Sequence, residues 1–220
     1  MQDLGKLIGF TALMQIPFRD DPDALAYLEE IRLALKELEA LKAEPQKAKT
    51  KVELRACPTE ADWLEVKRRA LATEGKRPAK APDSQWKYKI LRARHSPIRY
   101  LVYSYYIENI PSWVATHLVR HHEGFQPYVQ SQRNDRQDKY DRNSARQDAP
   151  VNMWIDLNAE ALQVLANKRL CNLAAAETRS VVAEMCRLAI EATPELESLL
   201  VPACVHQGGE CHEMKPCGWR

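Results

Sequence analysis

The stretch that constrains the fold most is Ile98–Ile107, with the sequence IRYLVYSYYI. Most of its residues are β-branched or aromatic, the types that pack best on a pleated sheet. Apolar side chains fall on both alternating faces, which is typical of a central strand that is covered on both sides. Asn109–Pro111 then turn the chain into a helix, SWVATHLVRHH, because proline suits the first turn of a helix. The sequence therefore predicts a central strand that leads directly into a helix.

Apolar residues recur at three- and four-residue steps in several other segments, which predicts further helices. These segments are 20–44, 59–74, 157–170 and 174–192. Asp21, Thr59 and Asp156 are suited to cap the first three. Gly75 ends the second helix, and Pro194 ends the fourth. A short strand is predicted for VELRAC, whereas the wholly polar segment 134–149 predicts a loop or a solvated helix.

Composition limits the kind of protein and partner. With 220 residues and 45% hydrophobic side chains, the chain suits one main globular domain. No apolar run approaches the roughly 20 residues of a membrane span, and no leader segment is evident, so we expect a cytoplasmic protein without a membrane partner. A net charge of +2, from 32 basic and 30 acidic residues, argues against binding bulk nucleic acid. Arginines in a site should instead face a small anion.

Three polar residues are spaced to share one face of the predicted helix. His117, Arg120 and His121 stand at i, i+3 and i+4, whereas His122 points about 100° away. Burying such a cluster is costly unless a partner satisfies it, and flavin or phosphate groups could do so. The spacing alone fits two alternatives: contact with a ligand, or a cluster that faces solvent or another subunit.

Two later segments carry candidate anion-binding groups. After Pro127, Ser131 and Arg133 present a hydroxyl and a guanidinium, and the guanidinium fork can bind phosphate through two parallel bonds. In the helix after Asp156, Asn158 and Arg169 lie on an otherwise apolar stripe. The arginine either meets an anion or forms an ordinary ion pair, for which nearby glutamates are available.

The C-terminal residues include a group of potential metal ligands. Three cysteines alternate with two histidines after residue 200, and one further cysteine follows the third predicted helix. The four thiols are those of Cys171, Cys204, Cys211 and Cys217. They could hold a structural zinc ion in a tetrahedral site, or they could be free thiols, because their spacing is not that of paired C-x-x-C modules. Glycine-rich phosphate loops, H-E-x-x-H and G-x-S-x-G do not occur.

The segment 92–133, RARHSPIRYLVYSYYIENIPSWVATHLVRHHEGFQPYVQSQR, resembles the flavin-dependent thymidylate synthases. That family has an S/T-P element before a strand, a helix begun by proline, an R-H-R signature, seven or eight spacer residues, a serine and a nearby arginine. Here the order is Ser96-Pro97, the strand, Pro111, the helix, Arg120–His122, eight spacer residues and Ser131. The resemblance covers roughly residues 90–192.

The resemblance implies an α+β fold with a mixed or antiparallel sheet flanked by helices. It implies a homotetramer in which FAD and dUMP bind at subunit contacts. The family transfers the methylene group of methylenetetrahydrofolate to C5 of dUMP, with FAD, reduced by NADPH, as the hydride source. We expect an N-terminal helical extension over 1–50, a catalytic domain over 51–200 and a cysteine-rich tail over 201–220.

Site residues follow from the same resemblance. It implies cofactor contacts for Ser96, Arg99, His117, Arg120, His121, His122 and Asn158. It implies substrate contacts for Ser131, Arg133, Arg142 and Arg169, with Arg146 as the alternative to Arg142. Arg169 would polarise the pyrimidine carbonyl, so Arg169 and Ser131 are the candidate catalytic residues.

Three positions depart from the family pattern. His122 replaces the third signature residue, normally arginine, so a permanent charge becomes one that titrates near neutrality. His117 stands where glutamine is expected, and Arg99 where an acidic residue is usual. These departures leave two options: a divergent branch of the same synthase, or a relative that carries out flavin-dependent C5 modification of dCMP or UMP. A third alternative, from another class, is an inactive nucleotide- or flavin-binding protein whose zinc-braced tail mediates assembly.

Overall fold

The computed structural model describes residues 49–137, 141, 143 and 145–218. The predicted helix of 20–44 and the candidate substrate contact Arg142 lie outside them. Within the described ranges, no helix is both long and apolar enough to cross a membrane.

The structure is α+β, with a four-stranded antiparallel sheet in the order β1-β2-β4-β3. The strands are β1 (Lys51–Ala56), β2 (Val102–Pro111), β3 (Phe125–Val129) and β4 (Pro150–Asn158). The helices are α1 (Glu60–Ala72), α2 (Ser84–Arg92), α3 (Ser112–Leu118), α4 (Ala159–Arg169), α5 (Ala176–Ala192) and α6 (Ala203–His206). Two 3₁₀ helices cover Ser96–Tyr100 and Pro194–Leu196.

Successive side chains of a strand point to opposite faces of the sheet. The helices pack on one of these faces and bury its side chains. In β2, Tyr103, Tyr105 and Ile107 are fully buried. The hydroxyl of Tyr105 donates to the Met185 carbonyl (2.9 Å), and Tyr103 bonds the Thr193 hydroxyl at the same distance. These two bonds fix α5 and the segment after it against the sheet.

The other face of the sheet, which we call the open face because no described helix packs on it, carries a row of aromatic side chains. Tyr106 pairs with Trp154 across β2 and β4, and Tyr128 pairs with Trp154 across β3 and β4. The Tyr106 and Trp154 rings lie 5.1 Å apart, with the Arg55 guanidinium over both. We call Tyr106, Trp154 and Tyr128 the aromatic row. The prediction that β2 is central is confirmed, and the side chains on its second face are partly buried or exposed among the described residues.

Several predicted boundaries differ from the structure. A 3₁₀ helix occupies Ser96–Tyr100, so β2 begins later than expected and continues through a bulge to Pro111. Strand β4 extends to Asn158, and therefore Asp156 pairs within the sheet and Asn158 caps α4. The predicted helix 59–74 is confirmed as α1, with Thr59 and Asp62 forming a capping box.

Candidate functional site

The signature residues lie on a turn between α3 and β3. Helix α3 ends at Leu118, four residues before its predicted end, and the His121 amide donates to the Leu118 carbonyl (3.0 Å). Gly124 then adopts a φ of +64°, and Phe125 is buried at the start of β3. Because Arg120–His122 belong to this turn, the helical face predicted for the cluster is not formed.

Arg169, the last residue of α4, joins this helix to the turn. Its Nε atom donates to Nε2 of His121 (3.0 Å), and its Nη2 atom donates to the backbone carbonyl of His117 (2.9 Å). The guanidinium is partly buried, and it reaches its partners from the C-terminus of α4. Two contacts to separate residues therefore fix the plane in which its remaining N–H groups point.

His121 accepts this hydrogen bond because it is neutral. Burial lowers its pKa to about 4, and the nearby positive charge of Arg169 acts in the same direction. An imidazole that accepts at Nε2 carries its proton on Nδ1. His121 is thus an acceptor that orients Arg169, rather than a third positive charge.

Arg120 adds a second guanidinium to this region. It is exposed, and it lies near enough to Arg169 to reinforce the effect of burial in lowering that pKa. Among the residues that the structure describes, no carboxylate forms an ion pair with Arg120 or Arg169. Two neighbouring guanidiniums without an acid favour the binding of an anion.

His117 and His122 lie on opposite sides of Arg120 in the chain and have different surroundings. Nδ1 of His117 lies 3.0 Å from the hydroxyl of the buried Thr178, and its ring meets Trp113 edge-on. Burial, followed by Arg169 and Arg120, lowers the pKa of His117. His122 is exposed, and its ring bonds the Arg120 carbonyl (2.9 Å). Of these two histidines, His122 is therefore the one whose ring faces solvent.

The turn and the start of α4 are joined through Gly124 and Asn158. The backbone N–H of Asn158 donates to the Gly124 carbonyl (3.0 Å). The side-chain Oδ1 of Asn158 caps α4 by accepting from the backbone N–H of Ala161 (2.9 Å). A Cβ at Gly124 would lie 2.2 Å from Asn158 Nδ2. Asn158 contacts the turn at the N-terminus of α4, and Arg169 contacts it at the C-terminus. The turn therefore runs alongside the whole helix.

Ser96 and Arg99 lie beside the N-terminus of α4. Ser96 is exposed at the start of the 3₁₀ helix, which packs against α4. Arg99 forms an ion pair with Glu160, in the first turn of α4. The positive charge of Arg99 is thus already matched by a carboxylate.

The predicted substrate segment follows β3. The Ser131 carbonyl accepts from the Gln137 side chain, and Arg133 binds both oxygens of Asp135 (2.8 and 2.6 Å). Between them, Nε2 of Gln132 is buried without a hydrogen-bond partner among the described residues. Arg146, the alternative phosphate contact, pairs in the same way with Asp148. The segment therefore contains two candidate ligand-binding groups. One is the Arg133 guanidinium, whose partner Asp135 is exposed, and the other is the buried Nε2 of Gln132, which has no acceptor among the described residues.

The four candidate metal ligands are free thiols. Cys171 follows α4, Cys204 belongs to α6, and Cys211 and Cys217 lie beyond α6. Across the described part of the chain, no three His, Cys, Asp or Glu side chains stand in an arrangement that already fits a metal ion.

The structure brings together three of the predicted site residues, Arg120, His121 and Arg169, at the C-terminal end of α4, whereas Asn158 caps the other end of this helix. Arg99 and Arg133 are instead paired with acids. Sequence reasoning missed Gly124, Gln132 and Thr178. Only Gly124 had a signal, since a glycine after a predicted helix often adopts positive φ.

Comparisons with known proteins give a structural match and no sequence match. No protein-family profile matches the sequence, and no curated protein sequence matches it. Its structure is similar to a crystal structure of the UMP/dUMP methylase PolB from Streptomyces cacaoi bound with 5-Br dUMP. The TM-score is 0.55 with 14% identity, over 73% of this chain and 94% of that one. At this identity, the likeness shows that the two chains share a fold.

Proposed function

We propose that this protein methylates dUMP at C5, with methylenetetrahydrofolate as carbon donor and FAD, reduced by NADPH, as hydride source. The observation that carries the proposal is the pair of guanidiniums, Arg120 and Arg169, that no carboxylate of the described residues neutralises. A nucleotide phosphate or an electron-rich pyrimidine oxygen satisfies such donors. The fold shared with a nucleotide methylase and the signature segment 92–133 support the same assignment.

The residues along α4 fit a flavin cofactor. Ser96, Arg120, His121 and Asn158 would hold FAD, and the cofactor would supply the hydride that completes the methyl group. The fit rests on the Arg120 guanidinium, which is exposed and unpaired with any carboxylate of the described residues. Gly124 supports it further, because the lack of a side chain there lets the turn approach α4 closely.

Arg169 would polarise the pyrimidine carbonyl during attack at C5. Such stabilisation is most effective when the donor is already oriented before charge develops on the ring. The bonds of Arg169 to His121 and to the His117 carbonyl provide that orientation. His121 is therefore proposed as a positioning residue that acts through Arg169.

Ser131, Gln132 and Arg133 would bind the nucleotide. Asp135 occupies both arms of the Arg133 fork, in the geometry with which arginine binds phosphate. A phosphate would replace this exposed carboxylate at small cost, because water screens ion pairs at the surface. The buried Nε2 of Gln132 would then have a ligand oxygen as its acceptor.

A second candidate is C5 modification of another pyrimidine nucleotide, UMP or dCMP. The similar structure is of a methylase of both UMP and dUMP, which favours UMP. His122 supports a changed ligand environment, since it stands where the family has arginine. The third candidate, an inactive nucleotide- or flavin-binding assembly protein, predicts binding without turnover.

A tritium-release assay distinguishes these functions. The protein is supplied with FAD, NADPH, methylenetetrahydrofolate and C5-tritiated dUMP, UMP or dCMP. Release from dUMP supports the first candidate, and release from only another nucleotide overturns it in favour of the second. A protein that binds FAD or nucleotide but releases no tritium from any of the three is the third candidate.

Variants connect the activity to the site. Arg169→Ala should abolish release, and Arg133→Ala should weaken nucleotide binding. Arg187→Ala is the matched control, because Arg187 pairs with Glu184 and Glu191 on α5. Unchanged nucleotide binding and turnover in both site variants would show that the site lies elsewhere.

We also propose that the protein is a homotetramer with its ligands at subunit contacts. The support is the open face of the sheet, where Trp154 and Tyr128 are 41% and 60% exposed. An apolar patch of this kind on a soluble protein commonly marks an interface.

A further inference from the structure

Thr178 lies in the first turn of α5, and its side chain is fully buried. The neighbouring Arg179 is buried as well. Its Nη1 atom donates to the carbonyls of Asn172 and Ala174, in the segment that joins α4 to α5 (3.2 Å each). These two bonds hold the segment that follows Arg169 against the start of α5, so Thr178 has a fixed place relative to the end of α4.

His117 connects Thr178 to Arg169. Its ring atom Nδ1 lies 3.0 Å from the Thr178 hydroxyl oxygen, and its backbone carbonyl accepts from the Arg169 guanidinium (2.9 Å). The His117 ring also meets Trp113 edge-on, with the ring centroids 5.3 Å apart. The contacts with Thr178 and Trp113 therefore fix the orientation of the imidazole beside Arg169.

The buried hydroxyl determines the direction of the hydrogen bond between Thr178 and His117. A threonine hydroxyl has one proton to donate, and a buried donor without an acceptor is costly. Among the residues that the structure describes, Nδ1 of His117 is the hydrogen-bond partner of this hydroxyl. Burial, followed by Arg169 and Arg120, lowers the pKa of His117, so the ring is neutral at neutral pH and Nδ1 can accept. The hydroxyl therefore donates to Nδ1, and the ring proton of His117 lies on Nε2.

Nε2 of His117 is available to a ligand. It forms no hydrogen bond with the described residues, and the side chain is partly exposed. With its proton on Nε2, the ring can donate at this atom but cannot accept. The guanidiniums of Arg120 and Arg169 also donate and cannot accept. These three side chains therefore offer hydrogen-bond donors only.

We propose that Thr178 fixes His117 as a donor that selects uracil nucleotides over cytosine nucleotides. Position 4 of uracil carries a carbonyl oxygen, which accepts hydrogen bonds, whereas position 4 of cytosine carries an amino group, which donates. Donors that are held in place disfavour the amino group, because neither side then has an acceptor. Thr178 is thus a positioning residue that acts through His117.

This inference rests on the proposed function, because it requires the nucleotide to bind beside Arg169. It also separates the two alternative substrates. UMP has the carbonyl oxygen that the donors need, whereas dCMP has the amino group, so UMP is favoured over dCMP.

Calorimetric titration of the full-length protein, supplied with FAD, tests the selectivity. The wild type should bind dUMP more tightly than dCMP. Thr178→Val keeps the shape of the side chain but removes the hydroxyl, so the ratio of the two Kd values should fall by about threefold to tenfold, as expected for one hydrogen bond. Thr178→Ser keeps a hydroxyl and should keep the ratio. Thr116→Val is the matched control, because the exposed Thr116 hydroxyl bonds the Ser112 carbonyl instead (3.0 Å).

The tautomer of His117 is a readout that survives if Thr178→Val fails to fold. In wild-type protein labelled with ¹⁵N-histidine, the NMR shifts of His117 should show a protonated Nε2 and an unprotonated Nδ1. Its signals are those that are missing from the spectrum of His117→Gln. A His117 protonated on Nδ1, equal Kd values for dUMP and dCMP in the wild type, or an unchanged ratio in Thr178→Val would overturn the inference. Intact selectivity without tritium release from any nucleotide would overturn the proposed activity and leave this inference standing.

Discussion

At the scale of the residue, the charge of His121 decides how Arg169 is held. A protonated imidazole has no lone pair at Nε2 to accept from Arg169, and it would place a positive charge beside a guanidinium. Burial and Arg169 lower the pKa of His121 to about 4 and so preserve the acceptor at neutral pH. The proposed polarising group thus depends on a histidine that stays uncharged.

We predict that His121 makes the stability of the protein depend on pH in acid. Its folded pKa of about 4 lies below the 6.5 of an unperturbed histidine, so the unfolded state binds more protons between these values. Its contribution is complete above pH 6.5 and is lost as the pH falls toward 4. His121→Gln keeps an acceptor but does not titrate, so its Tm should fall less than that of the wild type over this range. The exposed His122→Gln is the control, and an equal fall in Tm for the wild type and His121→Gln would contradict the prediction.

We predict that removing the acid beside Arg133 strengthens nucleotide binding. Asp135→Asn deletes the carboxylate that competes with phosphate, and because water screens this exposed pair, we expect a modest decrease in the Kd for dUMP, by no more than about fivefold. Asp148→Asn is the matched control, because Asp148 pairs with Arg146 in the same geometry. Calorimetric titration measures both. Weaker binding in Asp135→Asn would mean that Asp135 itself contacts the ligand.

At the scale of the element, the close approach of Gly124 to Asn158 determines where the turn lies against α4. Gly124→Ala would introduce a methyl group at positive φ that also collides with the capping side chain. We expect a loss of about 1 to 2 kcal/mol from the backbone and about 1 to 3 kcal/mol from the collision.

Gly75→Ala measures the backbone contribution to that loss without the contribution of the collision. Gly75 has a similar φ of +67°, but a Cβ there meets nothing within 4 Å. Urea unfolding should therefore show a clearly smaller loss of stability for Gly75→Ala than for Gly124→Ala. Equal losses would mean that Asn158 moves aside without cost.

The elements that were predicted correctly are those whose ends and apolar spacing are marked by particular residues in the sequence. Helix α1 has a capping residue, a regular apolar spacing and a terminating glycine, and α5 ends before Pro194. Strand β4 was missed because Asp156 resembled a helix cap, although the alternation in VNMWIDLN is that of a strand. The end of α3 was misplaced because no breaker precedes Gly124.

The candidate site was predictable only in its residue types. Arginines and histidines at helical spacings predicted anion binding, which stays a prediction, and the structure joins Arg169 to His121 by a hydrogen bond. Their partners were not predictable, because Asp135 could have remained solvated and Thr178 belongs to a helix 61 residues away from His117. Pairing of this kind depends on the tertiary fold, which spacing along the chain does not specify.

At the scale of the whole molecule, the sheet separates two kinds of surface. Its buried face packs on helices, including α4, along which the candidate site lies, while its open face presents the aromatic row. The tilted rings of Tyr106 and Trp154 already contact each other beneath Arg55, so they would lose little side-chain freedom on meeting another subunit. An ordered aromatic surface is therefore well suited to the proposed contact between copies.

We predict that a charge in the aromatic row disrupts the proposed tetramer. Trp154→Lys would place an ammonium group in the contact and remove its largest ring, and burying an unpaired charge is strongly unfavourable. Light scattering coupled to gel filtration should show a smaller assembly, with a circular dichroism spectrum like that of the wild type. Val164→Lys on α4 is the control, since Val164 is also 41% exposed but lies outside the row. An assembly that stays intact in Trp154→Lys would show that the open face is not the contact between subunits.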